Sequence, residues 1–200
     1  SSTLPKGNNS YFYPSVTSSF ILSDIFELPD QISFSKLRVS FAQVGSDTEP
    51  YRLRKVYSQN IFPGSVTPPS TRNNNDLKPE ISNSFETGLN FSLFSNRITA
   101  DVNYYYNTTV NQVLRVPVDI TTGYSYSYIN GGKIKNEGIE VMLTAKPFRG
   151  NFKWTPTLTW SKNYNEILEL SKDLDLAQQT IMSSGSASII AVKGGTTGDI

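Results

Sequence analysis

Between residues 81 and 108, apolar side chains fall at every second position along two arms joined by the short reversal Phe94-Ser95-Asn96-Arg97. On the first arm Ile81, Phe85, Leu89, Phe91 and Leu93 share one parity with Asn83 and Thr87, and Ser82, Ser84, Glu86, Gly88, Asn90 and Ser92 take the other. On the second arm Ile98, Ala100, Val102, Tyr104 and Tyr106 oppose Thr99, Asp101, Asn103, Tyr105 and Asn107. Successive side chains of a strand point to opposite faces, so this period of two specifies a β-hairpin with one apolar and one polar face. Such a face packs on a second sheet in a soluble sandwich, or it faces lipid while its opposite lines a watery lumen.

The same pattern recurs on either side. Val16, Phe20 and Leu22 alternate within residues 14–22, and Leu37, Val39 and Phe41 oppose Lys36, Arg38, Ser40 and Ala42 within 35–43. A second hairpin sets Ile139, Val141, Leu143 and Ala145 against Asn136, Gly138, Glu140, Met142 and Thr144. It turns at 147–150 and returns with Phe152, Trp154, Leu158 and Trp160 on one parity, interrupted by Pro156. About six strands are countable, and the smallest membrane barrels need about eight. The chain is therefore expected to be part of a larger barrel.

Tight turns alternate with long segments: 45–80, rich in Pro, Asn and Ser, 109–133, which holds the repeat Tyr-Ser-Tyr-Ser-Tyr, and 165–200, which runs into a polar tail. Outer-membrane barrels segregate their connections in this way, with long loops outside and short turns on the periplasmic side. Trp154 and Trp160, six positions apart, would lie about 20 Å from one another along a strand, which suits aromatic girdles at two interfaces.

Composition narrows the chemistry. The chain has no Cys and no His, so it carries no disulfide, no thiolate or imidazole metal site and no Ser-His-Asp or Cys-His catalytic set. Its formal charge of +1 offers no field for nucleic acid. Glu86, Asp101 and Glu140 are the obvious carboxylates, yet no spacing fixes an acid and base pair, and hydrogen bonding to Lys36, Arg38 or Lys153 accounts for them. The run 73–76 lacks the ordered carboxylates of a calcium loop, and Gly131-Gly132 and Gly194-Gly195 lack the lysine and helix of a phosphate loop. Neither a catalytic residue, nor a metal ligand, nor a cofactor site is expected. The N-x-S/T triplets at Asn8, Asn90 and Asn107 read as chance matches.

Longer motifs carry a resemblance. Leu77-Lys78-Pro79-Glu80, then Phe85-Glu86-Thr87-Gly88-Leu89, Asn96-Arg97-Ile98 and Asp101-Val102-Asn103-Tyr104-Tyr105 resemble the carboxy-terminal barrel of TonB-dependent outer-membrane receptors of the SusC/RagA type. Asn130-Gly131-Gly132-Lys133-Ile134-Lys135-Asn136-Glu137-Gly138-Ile139-Glu140 is similar to a recurring strand opening of that family. Phe152-Lys153-Trp154, the run 161–165, the run 36–41 and the glycine-bearing stretch 194–198 also resemble its segments. The likeness covers most of 13–170.

The resemblance implies an all-β, antiparallel up-and-down transmembrane barrel of about 22 strands, of which this chain supplies one incomplete segment without a plug domain. It further implies a bacterial outer-membrane importer of oligosaccharides or peptides, paired with a SusD-like surface lipoprotein and driven by TonB through a segment outside this chain. Expected lumen-facing residues are Glu86, Asn90, Asp101, Asn103 and Glu140. Expected lipid-facing residues are Leu89, Phe91, Val102, Tyr104, Val141, Leu143, Trp154 and Trp160. Tyr124, Tyr126 and Tyr128 in the repeat Tyr-Ser-Tyr-Ser-Tyr either contact ligand or a partner, or extend a strand beyond the membrane. The alternative class is a soluble extracellular β-sandwich, an adhesin or carbohydrate-binding module. A passive porin-like or assembly barrel is a third.

Overall fold

The structure, a computed structural model, describes residues 3–7, 9–59, 62, 64–148, 150–170, 178–184 and 187–196. Asn8 and the 197–198 part of the glycine-bearing stretch lie outside the described residues.

Six long strands dominate: β1 (Ser15–Ile21), β2 (Ile32–Ser46), β3 (Glu80–Leu93), β4 (Ile98–Val110), β5 (Lys133–Ala145) and β6 (Thr157–Glu169). They form one antiparallel sheet in chain order, each bonded to the next. The register aligns the alternating pattern across strands. Leu37, Leu89, Val102, Val141 and Trp160 make one row, and Arg38, Gly88, Asn103, Glu140 and Ser161 make the next. A slip of one residue anywhere would put an apolar row into a polar one, so the pattern itself fixes the register.

This is a wall one sheet thick, and among the described residues no second sheet packs on either face of it. Phe20, Phe41, Leu158 and Trp160 of the apolar face are accordingly exposed. The largest fully buried side chains lie elsewhere, at Leu77 and Val116 in the long connections.

The reversal between β3 and β4 is held by three consecutive left-handed residues, Phe94, Ser95 and Asn96, at φ 54°, 54° and 63°. Asn adopts this conformation readily and Phe does not. Its cost is offset by bonds to the neighbouring connection: Phe94 N–H donates to Gln31 O at 2.8 Å, and Ser95 N–H to Ser33 Oγ at 2.7 Å.

The short connections 22–31, 94–97 and 146–156 join strands at one end of the wall, and the long ones, 47–79 and 111–132, join them at the other, where β6 also ends at Glu169. The long stretches are shorter than the sequence reading had them, because the strands run a few residues further. They also hold structure of their own: Val113–Pro117 pairs with Tyr126–Asn130, Thr71–Arg72 joins Tyr126 in parallel, and Gln178–Ser184 pairs with Ala187–Val192. The last hairpin falls where the sequence reading had only a polar tail.

One expectation is overturned. β6 begins at Thr157, so Trp154 lies in the turn and not on the apolar face of a strand. Pro156 explains this, since it has no N–H for the ladder and stands just before the strand, its carbonyl accepting from Ala145 N–H at 3.0 Å. The Trp154 ring instead joins Phe148 and Phe152, with centroid separations of 6.4 Å from Phe148 to Trp154 and 5.3 Å from Phe148 to Phe152.

Candidate functional site

Beyond the long-loop end of the wall, the chain builds a small three-stranded sheet. Asn111, left-handed at φ 58°, breaks β4 from Val113–Pro117, and the repeat 124–128 enters the return strand. Leu77 and Val116 are fully buried here. Asn130 fastens the unit: its Oδ1 accepts from Lys78 N–H at 2.7 Å, and its Nδ2 donates to Lys78 O at 2.8 Å and Asn111 O at 2.9 Å. Asp119 caps the single turn Ile120–Thr122, and bonds from the Thr121 hydroxyl and backbone N–H hold its carboxyl below the usual carboxylate range.

The three tyrosines of the repeat are each covered by a cation. Arg52 lies 4.8 Å from the Tyr128 ring centroid, Arg115 3.9 Å from that of Tyr126, and Lys55 5.5 Å from that of Tyr124 and 4.9 Å from that of Tyr57. Contacts of this kind contribute about 0.5–1 kcal/mol each where exposed. Hydrogen bonds to Tyr57 and Tyr124 push the Lys55 ammonium above its ordinary range. Arg52 also pairs with Glu49 at 2.7 Å. A cavity of about 500 Å³ opens between 49–58 and 67–73, with Arg52, Tyr51 and Tyr128 in its lining, and one of about 800 Å³ lies on the side of Lys78, Asn130 and Lys133.

On the polar face of the wall, Arg38 Nη2 donates to Asp101 Oδ1 at 3.0 Å, Asp101 Oδ2 at 3.1 Å and Asn103 Oδ1 at 2.9 Å. Asn90 Nδ2 and Asn103 Nδ2 donate to the same Asp101 carboxylate at 3.0 and 2.8 Å. The structure thus gathers Asn90, Asp101 and Asn103 around Arg38 and leaves Glu86 and Glu140 apart, both exposed on the same face. A single carboxylate with its charge matched by arginine is no acid and base pair. Among the described residues no three potential ligands gather to hold a metal ion.

Leu89, Phe91, Val102, Tyr104, Val141, Leu143 and Trp160 share the opposite face. Toward the long loops that face turns polar. Lys135 pairs with Glu166 at 2.8 Å and with Glu137 at 3.3 Å, and Tyr104 donates to Glu137 at 3.4 Å. From Ile98 to Tyr106 the apolar stretch of β4 is about 27 Å along the strand, or about 20 Å in height at the usual barrel tilt, close to the apolar band of such walls.

Sequence reasoning missed Arg52, Lys55 and Arg115 as companions of the tyrosines. The signal was present in Tyr51-Arg52-Leu53-Arg54-Lys55-Val56-Tyr57, a basic run bracketed by tyrosines inside a loop. That Arg115 reaches Tyr126 follows only from the pairing of the two strands.

An open up-and-down meander with one apolar and one polar face, short turns at one end and structured loops at the other, defines a segment of an outer-membrane β-barrel wall. Residues 2–186 match the family described as TonB dependent receptor-like, beta-barrel, and the chain belongs to that family, within it to the SusC/RagA type. It is 30% identical to TonB-dependent receptor P26 of Formosa agariphila over 95% of this chain and 20% of that protein. It is 29% identical to TonB-dependent receptor SusC of Bacteroides thetaiotaomicron over 60% of this chain and 12% of that protein. Among solved structures, the RagAB peptide importer in its closed-closed state superposes with TM-score 0.82 at 24% identity, over 96% of this chain and 21% of that one. The chain therefore spans about a fifth of the relatives it matches most fully. These kinships place it in the bacterial outer membrane and do not favour a soluble sandwich.

Proposed function

We propose that the chain forms part of the wall and outer loops of a SusC-type importer that takes up oligosaccharides or peptides. In this reading it works with a SusD-like surface lipoprotein and with TonB, which engages the receptor outside this chain. The apolar face, with Leu89, Phe91, Val102, Tyr104, Val141, Leu143 and Trp160, lies against lipid. Glu86, Asn90, Asp101, Asn103 and Glu140 line the lumen. The segments 47–79, 111–132 and the chain after 169 are external, and the 146–156 turn with Trp154 is periplasmic.

The observation that carries the reading is the register, which brings the apolar parity of five strands onto one unpacked face, with Leu37, Leu89, Val102, Val141 and Trp160 in an unbroken row. In water such a face would be a large exposed apolar patch, whereas in a bilayer it is the stable arrangement. The RagAB importer's name speaks of peptides and supports import by a relative of this fold.

This stretch contains no cysteine, so a single introduced thiol reports on its own position. In the full-length receptor reconstituted in lipid, thiols at Leu89 and Val141 are expected to resist a water-soluble maleimide, and thiols at Asn90 and Glu140 to react. Equal labelling of both sets would overturn the membrane assignment. For import, cells lacking the receptor should lose uptake of a labelled oligosaccharide or peptide, and retrieval of the tagged receptor should bring down a surface lipoprotein. Unchanged uptake of both ligand classes would overturn it.

A further inference from the structure

We propose that Arg52 and Tyr128, flanked by Lys55 and Arg115, form a capture site for an acidic oligosaccharide, with the Arg52 guanidinium taking the sugar's carboxylate or sulfate. This deepens the import reading and rests on it, because it names a substrate class for the same outer loops.

Arg52 carries an unfilled donor. Arg52 places its guanidinium over the Tyr128 ring and gives Nη2 to Glu49, whose side chain is 76% exposed, while its Nε is buried without any partner. Leaving a buried N–H unbonded costs about 1–3 kcal/mol, and an arginine fork is built to take a planar anion through two parallel bonds. Arg52 lines the cavity of about 500 Å³ between the two loop segments, so there is room for a ligand group beside its guanidinium, and Nε is reached once the side chain shifts toward that ligand.

Charge points the same way. Connections 47–79 and 111–132 hold Arg52, Arg54, Lys55, Arg72, Lys78 and Arg115 against Asp47, Glu49, Asp76 and Asp119. Of these acids, Asp47 is engaged by the Tyr11 hydroxyl, and Asp119 by Thr121. Among the described residues Lys55 and Arg115 have no carboxylate partner, and aromatic rings hold both of them. They are thus positioned cations with their charge unspent.

The lining favours a sugar over a peptide. Pro68 and Pro69 in the cavity wall lack the N–H groups with which a peptide would be added to a sheet edge, leaving recognition to Tyr51, Ser58, Thr71 and Asn73 around the arginine. Hydroxyl and amide groups with tyrosine rings suit a polyhydroxylated ring carrying an anionic group.

The test is calorimetric titration of the purified full-length receptor in detergent with four probes of equal length: an oligogalacturonate, a sulfated galacto-oligosaccharide, a neutral malto-oligosaccharide and an oligoglutamate peptide. At least one acidic saccharide is expected to bind about tenfold or more tightly than the neutral one, and to weaken as salt is raised. Arg52→Gln should cost about tenfold in that affinity, with Arg52→Lys between the two, since lysine keeps the charge and loses the fork. Lys55→Gln alters an exposed side chain and should weaken binding a few-fold, which guards against a folding defect in the Arg52 variants. Equal affinity for the neutral probe, preference for the peptide, absence of binding by both acidic saccharides, or indifference to Arg52→Gln and Lys55→Gln would each overturn the proposal. A receptor that imports and yet ignores acidic sugars refutes this site alone, whereas one that imports nothing refutes the reading beneath it.

Discussion

Arg38 and Asp101 are bonded at 3.0 Å although a whole strand lies between them. Arg38 belongs to β2 and Asp101 to β4; on β3, directly opposite Arg38, stands Gly88. The missing side chain opens a passage through which the arginine crosses. A Cβ at Gly88 would come into collision with Asn103 Oδ1 and lie 3.0 Å from Arg38 Nη2. Gly88→Val should therefore displace Arg38 and break the cluster, lowering receptor stability by about 1–3 kcal/mol. Asp101→Ala, which removes the acceptor shared by Arg38, Asn90 and Asn103 where water can take its place, should cost less, about 0.5–1.5 kcal/mol, with Asp101→Asn costing less again. Denaturant midpoints of the detergent-solubilised barrel provide the measure, and a Gly88→Val variant as stable as the parent would contradict the passage.

The device recurs two strands on. Tyr105 of β4 lies over Gly138 of β5 and donates its hydroxyl to Asn163 of β6 at 2.9 Å. A Cβ at Gly138 would sit 2.5 Å from Tyr105 Oη and 2.6 Å from the Lys162 carbonyl. Gly138→Ala should destabilise by about 1–3 kcal/mol, and adding Tyr105→Ala should recover only part of that, because the backbone carbonyl stays in the way. Full recovery in the double variant, read by the same unfolding midpoints, would show that the ring alone sets the crowding.

These bridges mark the limit of what the sequence disclosed. Period-two alternation gave the six strands, their faces and the segregation of short and long connections, because a strand exposes its pattern residue by residue. Gly88 and Gly138 are legible in the sequence only as gaps in the polar parity of their strands. Which side chain approaches depends on the register between strands, and that is a long-range property. The Trp154 error had a local cause: Pro156 looked like a flaw within a strand and is its boundary. Likewise the tyrosine repeat was visible, but its cations come from a loop about 70 residues earlier and from a paired strand, so no local pattern could join them.

If the apolar rows face lipid, arginine there must be far more harmful than arginine on the polar face. Leu89→Arg and Val141→Arg should each cost about 2–4 kcal/mol near mid-bilayer, while Asn90→Arg and Glu140→Arg should have much smaller effects on assembly. Heat-modifiable migration and outer-membrane yield of the full-length receptor report this. The pairs are adjacent in sequence, so equal losses at Leu89 and Asn90 would reject the assignment of faces.

Asn130 offers a test of whether the outer loops form a unit distinct from the wall. Its side chain closes a ring of bonds with both backbone groups of Lys78 and the carbonyl of Asn111, joining the connections 47–79 and 111–132 beside the buried Leu77 and Val116. Asn130→Asp puts a charged oxygen where the amide donated to two carbonyls, turning attraction into repulsion at that point. The loop sheet should open more often, and limited trypsin digestion should cut after Arg52, Arg54 or Lys55 about tenfold faster, equivalent to about 1.4 kcal/mol of local stability. The wall does not share these bonds, so its denaturant midpoint and heat-modifiable migration should stay at the parent's values. A fall in both readouts would show that loops and wall unfold together, and an unchanged cleavage rate would show that Asn130 does not hold the unit closed.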